Sequence, residues 1–130
     1  MAALPTPRQR ALAALRDTAV AAGVRITFRK PPVLPPRMQR LTDLDLVCYS
    51  VALAPKNSRL LKRGLFVRSA LGWESRDYDT AVPEALAKLP IDAEIVAIGW
   101  DDISVFWREQ GDVEQVIAAL KSLHPDPHLR

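Results

Sequence analysis

Residues 94–109 read Glu94-Ile95-Val96-Ala97-Ile98-Gly99-Trp100-Asp101-Asp102-Ile103-Ser104-Val105-Phe106-Trp107-Arg108-Glu109. Two runs rich in β-branched and aromatic residues, Glu94 to Trp100 and Ile103 to Glu109, flank a tight Asp101-Asp102 turn. Such residues suit a pleated surface, and a short polar break folds two such runs into a hairpin. The Asp-Asp pair lacks the glycine that most two-residue hairpin turns use. Just downstream, Asp112-Val113-Glu114-Gln115 caps a helix on which Val116, Ile117, Leu120 and Leu123 share one face. Pro125 and Pro127 stop that helix, and residues 125–130 are expected to form a flexible tail. Strands joined by tight turns, with few crossover helices, favour the α+β class over a doubly wound parallel sheet.

Working back from the hairpin, Asp79-Thr80 precedes a short helix at about Pro83 to Leu89, which Pro90 ends. Residues 59–73 fit a turn followed by a strand near Gly64–Ala70, and Pro55-Lys56-Asn57-Ser58 fits a turn. Leu44 to Leu53 is so apolar that it predicts a central strand covered on both faces. Before it, four prolines within Pro31-Pro32-Val33-Leu34-Pro35-Pro36 forbid helix and central strand, leaving a stiff extended connector. The same segment holds Pro32-Val33-Leu34-Pro35, a PxxP pattern of SH3-type ligands with basic flanks. Val24, Ile26 and Phe28 alternate with Arg25 and Thr27, the pattern of a half-exposed strand. A first helix starts at Thr6-Pro7-Arg8-Gln9, buries Leu12, Leu15, Ala19 and Ala22 on one face, and closes at Gly23. The expected architecture is one α+β domain over residues 1–124. It has a mixed or antiparallel sheet of about four to five strands, with an N-terminal and a C-terminal amphipathic helix.

The chain has 130 residues, 48% of them hydrophobic and 25% charged, enough to bury a core without disulfides or metals. Cys48 is the single cysteine, which excludes an internal disulfide framework. No apolar run reaches the roughly 18 residues that span a bilayer. Residues 1–23 carry three arginines against Asp17 and many alanines, the flavour of a transit peptide, but they lack serine and have proper helix caps. They are read as structure, and the expected location is cytoplasmic. Thirteen arginines against five lysines, with abundant alanine, match the usage of GC-rich bacterial genomes.

The net charge of +3 conceals a split. Residues 1–65 carry 12 basic and 3 acidic side chains, a net of +9, whereas residues 66–130 carry 6 and 12, a net of −6. Such asymmetry points to an anionic partner, or to two halves that face each other within the fold. The candidate binding residues are Arg29, Lys30, Arg37, Arg40, Lys56, Arg59, Lys62 and Arg63, with Lys56–Arg63 the densest cluster. Arginine brings a planar fork of donors that matches carboxylates and phosphates. No aromatic is interleaved in this stretch, which weakens a single-strand stacking role. Trp73, Trp100 and Trp107 all lie in the acidic half, and Trp100 beside the hairpin turn is a candidate interface anchor.

Leu41-Thr42-Asp43-Leu44-Asp45-Leu46-Val47 resembles the Asp-x-Asp strand of the nucleotidyltransferase family. Residues two apart on a strand point the same way, so the resemblance implies that Asp43 and Asp45 share a divalent cation. That family also has a Gly-Ser pair upstream, where this chain has no glycine in 31–40, and a third carboxylate, for which Glu94 and Asp102 are the candidates. The Glu-x-Lys of restriction-type nuclease cores does not occur, and Glu84 with Lys88 reads as an i,i+4 ion pair. Glycine-rich phosphate and dinucleotide motifs are absent. Cys48 reads as a buried hydrophobe, and His124 and His128 as solvated tail residues.

The expectation is therefore a non-enzymatic protein–protein interaction or adaptor domain with segregated basic and acidic surfaces. It binds a protein partner or itself, and no cofactor, metal or membrane is expected. Two alternatives stand beside it. One is a divergent metal-dependent nucleotidyl- or phosphoryl-transfer domain using Asp43 and Asp45. The other is a small nucleic-acid-binding accessory protein using the basic half.

Overall fold

The Thr6 hydroxyl accepts the Gln9 amide at 3.1 Å while the Gln9 side chain accepts the Thr6 amide at 2.8 Å, closing the expected capping box. From this cap helix α1 runs over Pro7–Ala21 and ends at Gly23, whose φ of +86° lies in backbone that L side chains rarely adopt. The computed structural model describes residues 3–37, 45–77 and 80–126. Its strands are β1 (Arg25–Thr27), β2 (Val47–Ala52), β3 (Gly64–Ser69), β4 (Gly72–Ser75), β5 (Ala93–Ile98) and β6 (Asp102–Trp107). The remaining helices are the single turn α2 (Pro55–Ser58) and α3 (Val113–Leu123), and Glu84–Lys88 forms a 3-10 turn.

The strands make one antiparallel sheet in the order β1-β2-β6-β5-β3-β4, so the hairpin at residues 94–109 supplies its two middle strands. Six strands replace the expected four to five. The addition is β4, only four residues long with one large apolar side chain, too short to show a period. Its turn is closed by Gly72 at φ +116°. The hairpin loop is longer than the expected Asp-Asp turn: Ile98 pairs with Ile103, and the Gly99 amide donates to the Asp102 carbonyl at 3.0 Å.

Both sheet faces are buried, as the apolar β2 requires. Tyr49, Val51, Phe66, Val96, Ile103, Val105 and Trp107 face the layer of α1, α3 and the 3-10 turn. Cys48, Leu65, Val67, Ile95 and Phe106 face the other way, under Leu34 of the proline segment and Leu46. A bulge between Ala93 and Ile95 inserts one residue into β5, which sends Ala93 to one core and Ile95 to the other. Burying a side chain such as Phe66 or Phe106 contributes about 1.5–3 kcal/mol. The helix layer is uneven: α3 buries six residues, α1 only Ala19.

Three local expectations change. Phe28 does not follow Val24 and Ile26 inward; β1 stops at Thr27 and Phe28 stands 70% exposed. Glu84 and Lys88 form no ion pair, because a 3-10 turn does not stack positions i and i+4, and Lys88 donates to the Ser122 hydroxyl at 3.0 Å. His124 is not a solvated tail residue. It caps α3 with 2% exposure, its Nε2 lies 3.1 Å from the Ala52 carbonyl, and its Nδ1 accepts the Asp126 amide at 3.0 Å. His128 lies outside the described residues.

Candidate functional site

Antiparallel pairing of β2 with β6 brings the end of β2 beside the tip of the hairpin. The Leu53 amide donates to the Asp101 carbonyl at 2.7 Å, so the chain after Leu53 must run across the tip. There it turns through α2 and the loop 59–63. Arg63 ties that loop down. Its Nη1 donates to the Ser58 hydroxyl at 2.6 Å and to the Gly99 carbonyl at 2.8 Å. Its Nη2 donates to the Ser58 and Leu61 carbonyls. The guanidinium carbon lies 4.3 Å from the Trp100 ring centroid, a cation–π contact.

The result is one surface made from two sequence features. Trp100 is 70% exposed and Leu60 71% exposed. The side chains of Lys56, Arg59 and Lys62 are exposed along the same turn and loop and make no hydrogen bond or ion pair among the described residues. On the flank away from the helices, Arg29 and Arg25 reach Asp102 at 3.1 and 3.8 Å. Arg29 also donates to the Ser104 hydroxyl and lies over the Phe106 ring. Burial works against the Arg29 charge, and hydrogen bonding to Asp102 with further help from Cys48 outweighs it, so its pKa is raised.

Other candidates fall elsewhere. Lys30 is exposed beyond β1. Arg37 donates to the Arg76 carbonyl at 2.6 Å, just past the end of β4. Arg40 and Asp43 lie outside the described residues. Asp45 is exposed and precedes β2. Of the two carboxylates proposed as its partner, Asp102 is engaged by two arginines. Among the described residues no group of three or more His, Cys, Asp and Glu side chains could hold a metal ion. Trp107 is fully buried, and Trp73 lies half-buried under the Arg68 guanidinium at 4.7 Å.

At the opposite end of β6 stands a group that sequence reasoning missed. Arg16 of α1 grips Glu109 with both arms of its fork, Nε to Oε2 and Nη2 to Oε1, each 2.7 Å. The Tyr49 hydroxyl donates to the same Oε2 at 2.6 Å, and its ring meets Trp107 edge-on at 5.1 Å. Burial works to raise the Glu109 carboxyl, yet the hydrogen bonds from Arg16 and Tyr49 prevail and hold it below the usual carboxylate range. Burial first, and then Glu109, push the Tyr49 hydroxyl up. Glu109 lies on the wall of a cleft of about 610 Å³ between α1 and the start of β2. Its oxygens are already occupied and its carboxylate stays ionised, so it has no proton to give at neutral pH. Glu109 also adopts φ +61°, the sole non-glycine residue with positive φ among those described. Among the described residues Cys48 is buried and His124 is engaged with backbone, so neither forms a nucleophile–base pair.

No described helix is long and apolar enough to cross a membrane. No family model, curated protein or solved structure matches this chain.

Proposed function

We propose that this chain is a non-enzymatic protein-binding domain whose contact surface is the Trp100 end of the sheet. The observation that supports it is the stack of Arg63 on Trp100. That contact fastens the basic loop to the hairpin tip, so an exposed tryptophan and an exposed leucine share one end of the sheet with cations that meet no carboxylate among the described residues. Tryptophan and arginine are the residues most enriched at the energetic centres of protein interfaces. The patch is built in advance. Arg63 fixes Ser58, Leu61 and Gly99 through their carbonyls, which lowers the ordering cost that a partner must overcome.

The test is differential capture. Wild-type protein and a Trp100→Ala/Leu60→Ser variant serve as paired baits, and retained proteins are quantified by mass spectrometry. A partner that the variant retains at least about tenfold less, with the loss reproduced on purified components, supports the reading. Identical sets on both baits overturn it. Both substituted side chains face water, so the variant is expected to fold; its urea midpoint checks this.

A further inference from the structure

We infer that the Trp100 surface receives an acidic segment of another protein, one that carries an apolar side chain among its carboxylates. This rests on the protein-binding reading above and adds the partner's chemistry.

The electrostatics of the sheet end carry the inference. Arg25, Arg29, Lys56, Arg59, Lys62 and Arg63 stand there with the carboxylates of Asp101 and Asp102 and, across the cleft that Lys62 lines, Glu84, leaving a net +3. Two of the six arginine and lysine side chains share Asp102. Arg63 meets carbonyls, one hydroxyl and a ring, which occupy both its Nη groups without cancelling its charge. Lys56, Arg59 and Lys62 meet no carboxylate among the described residues. An incoming chain with carboxylates finds three such ammonium or guanidinium groups within seven residues of chain.

The apolar half of the argument excludes a bare anion. Trp100 and Leu60 leave most of their surface in water while Arg63 prevents the loop from folding over them. Covering them requires an apolar side chain, which a small anion lacks. Polynucleotide fits less well. Leu60 has no face on which a base can stack. A second copy presenting this same end is repelled by the shared positive charge.

Isotope-labelled full-length protein is titrated with four probes, read by amide and indole shifts. The first is a synthetic peptide of alternating glutamates and phenylalanines. The second has glutamine for every glutamate, the third has alanine for every phenylalanine, and the fourth is an oligothymidylate. The first peptide is expected to shift the Trp100 indole and the Leu60 and Arg63 amides, and to weaken as salt rises. The second and third, and the first against an Arg59→Glu/Lys62→Glu variant, are each expected to bind at least about tenfold more weakly. Equal binding of the alanine peptide, oligothymidylate binding without peptide binding, or shifts confined to another surface would each overturn the inference. So would salt-sensitive self-association by sedimentation that the charge-reversed variant loses, which would assign the surface to a second copy. If Trp100-dependent capture succeeds while no acidic peptide binds, the partner chemistry falls and the protein-binding reading stands. If both fail, both fall.

Discussion

Arg16 and Arg63 do the same mechanical work at opposite ends of β6. Each guanidinium ties one segment to another and lies over an exposed aromatic ring, Phe28 at 5.2 Å for Arg16 and Trp100 at 4.3 Å for Arg63. They differ in what they hold. Arg16 ends on a carboxylate that is 5% exposed, so its charge is answered. Arg63 ends on carbonyls and a hydroxyl, so both its Nη groups have acceptors while its charge is not neutralised. Hydrogen-bond satisfaction and charge neutralisation are separate demands. A tie that neutralises its charge is complete as structure. A tie that meets only the first leaves a field for a partner to answer.

The largest expected effect comes from opening the closed tie. Glu109→Ala leaves a guanidinium and the buried Tyr49 hydroxyl without their acceptor. Breaking a buried ion pair is strongly destabilising, but the Arg16 side chain is 32% open to water. The expected loss is therefore discounted to about 2–4 kcal/mol, read from urea unfolding. Glu109→Gly loses the same contacts but relaxes the left-handed backbone, and is expected to recover about 1 kcal/mol of that loss. If Glu109→Ala costs less than about 0.5 kcal/mol, the tie is an ordinary surface pair and the contrast with Arg63 disappears.

Acid is expected to take away part of the same contribution. A carboxyl whose pKa is lowered by folding stabilises in full above its unfolded value, about 4.3, and loses that contribution as pH falls through the folded value. Glu109 is such a group. The wild-type urea midpoint should drop as pH falls below about 4, and Glu109→Gln should drop less over that window. Parallel slopes would mean that Arg16 and Tyr49 do not hold the charged form.

The two ends were unequally legible in the sequence. The hairpin, both long helices, the doubly covered β2 and the strand near Gly64–Ala70 all followed from periodicity and caps, because those signals are local. The basic loop and Trp100 were each visible, and the missing fact was that β2 lies beside β6. Once that pairing is known, Leu53 must meet Asp101 and the two features must adjoin. Stacking looked unsupported because no aromatic was interleaved with the cations along the chain; in space Trp100 stands among them. The Arg16–Glu109 tie joins residues 93 apart and has no local signature. His124 was hidden by its flanking prolines, which read as a tail although the ring closes over β2. Part of the charge split proved internal, through Arg16, Arg25 and Arg29, while Lys56, Arg59 and Lys62 face water.

Opening the other tie is expected to cost less stability. Arg63→Ala frees the loop 58–61 from the hairpin tip and should lower stability by about 1–2 kcal/mol, because its partners are mostly carbonyls that water can reach once it is gone. Arg63→Lys separates geometry from charge. It keeps the positive end but loses the planar fork, so the loop should loosen, as seen in faster amide exchange at Leu60 and Leu61, while the salt dependence of partner binding persists. If exchange is unchanged in both variants, Arg63 does not fasten the loop.

The smallest expected effect on stability gives the sharpest comparison. Trp100 and Phe28 are each 70% exposed and each lie under an arginine. Removing either ring should change stability by less than about 1 kcal/mol, since an exposed cation–π contact is weak and little buried area is lost. Their effects on binding should diverge. Phe28 sits under a guanidinium whose charge is already spent on Glu109, whereas Trp100 sits under one that meets no carboxylate among the described residues. Trp100→Ala is expected to weaken partner binding at least about tenfold, and Phe28→Ala to leave it unchanged, both read by titration calorimetry. Equal losses would show that an exposed aromatic under an arginine is enough, and that the unneutralised charge around Trp100 has no part in choosing the partner.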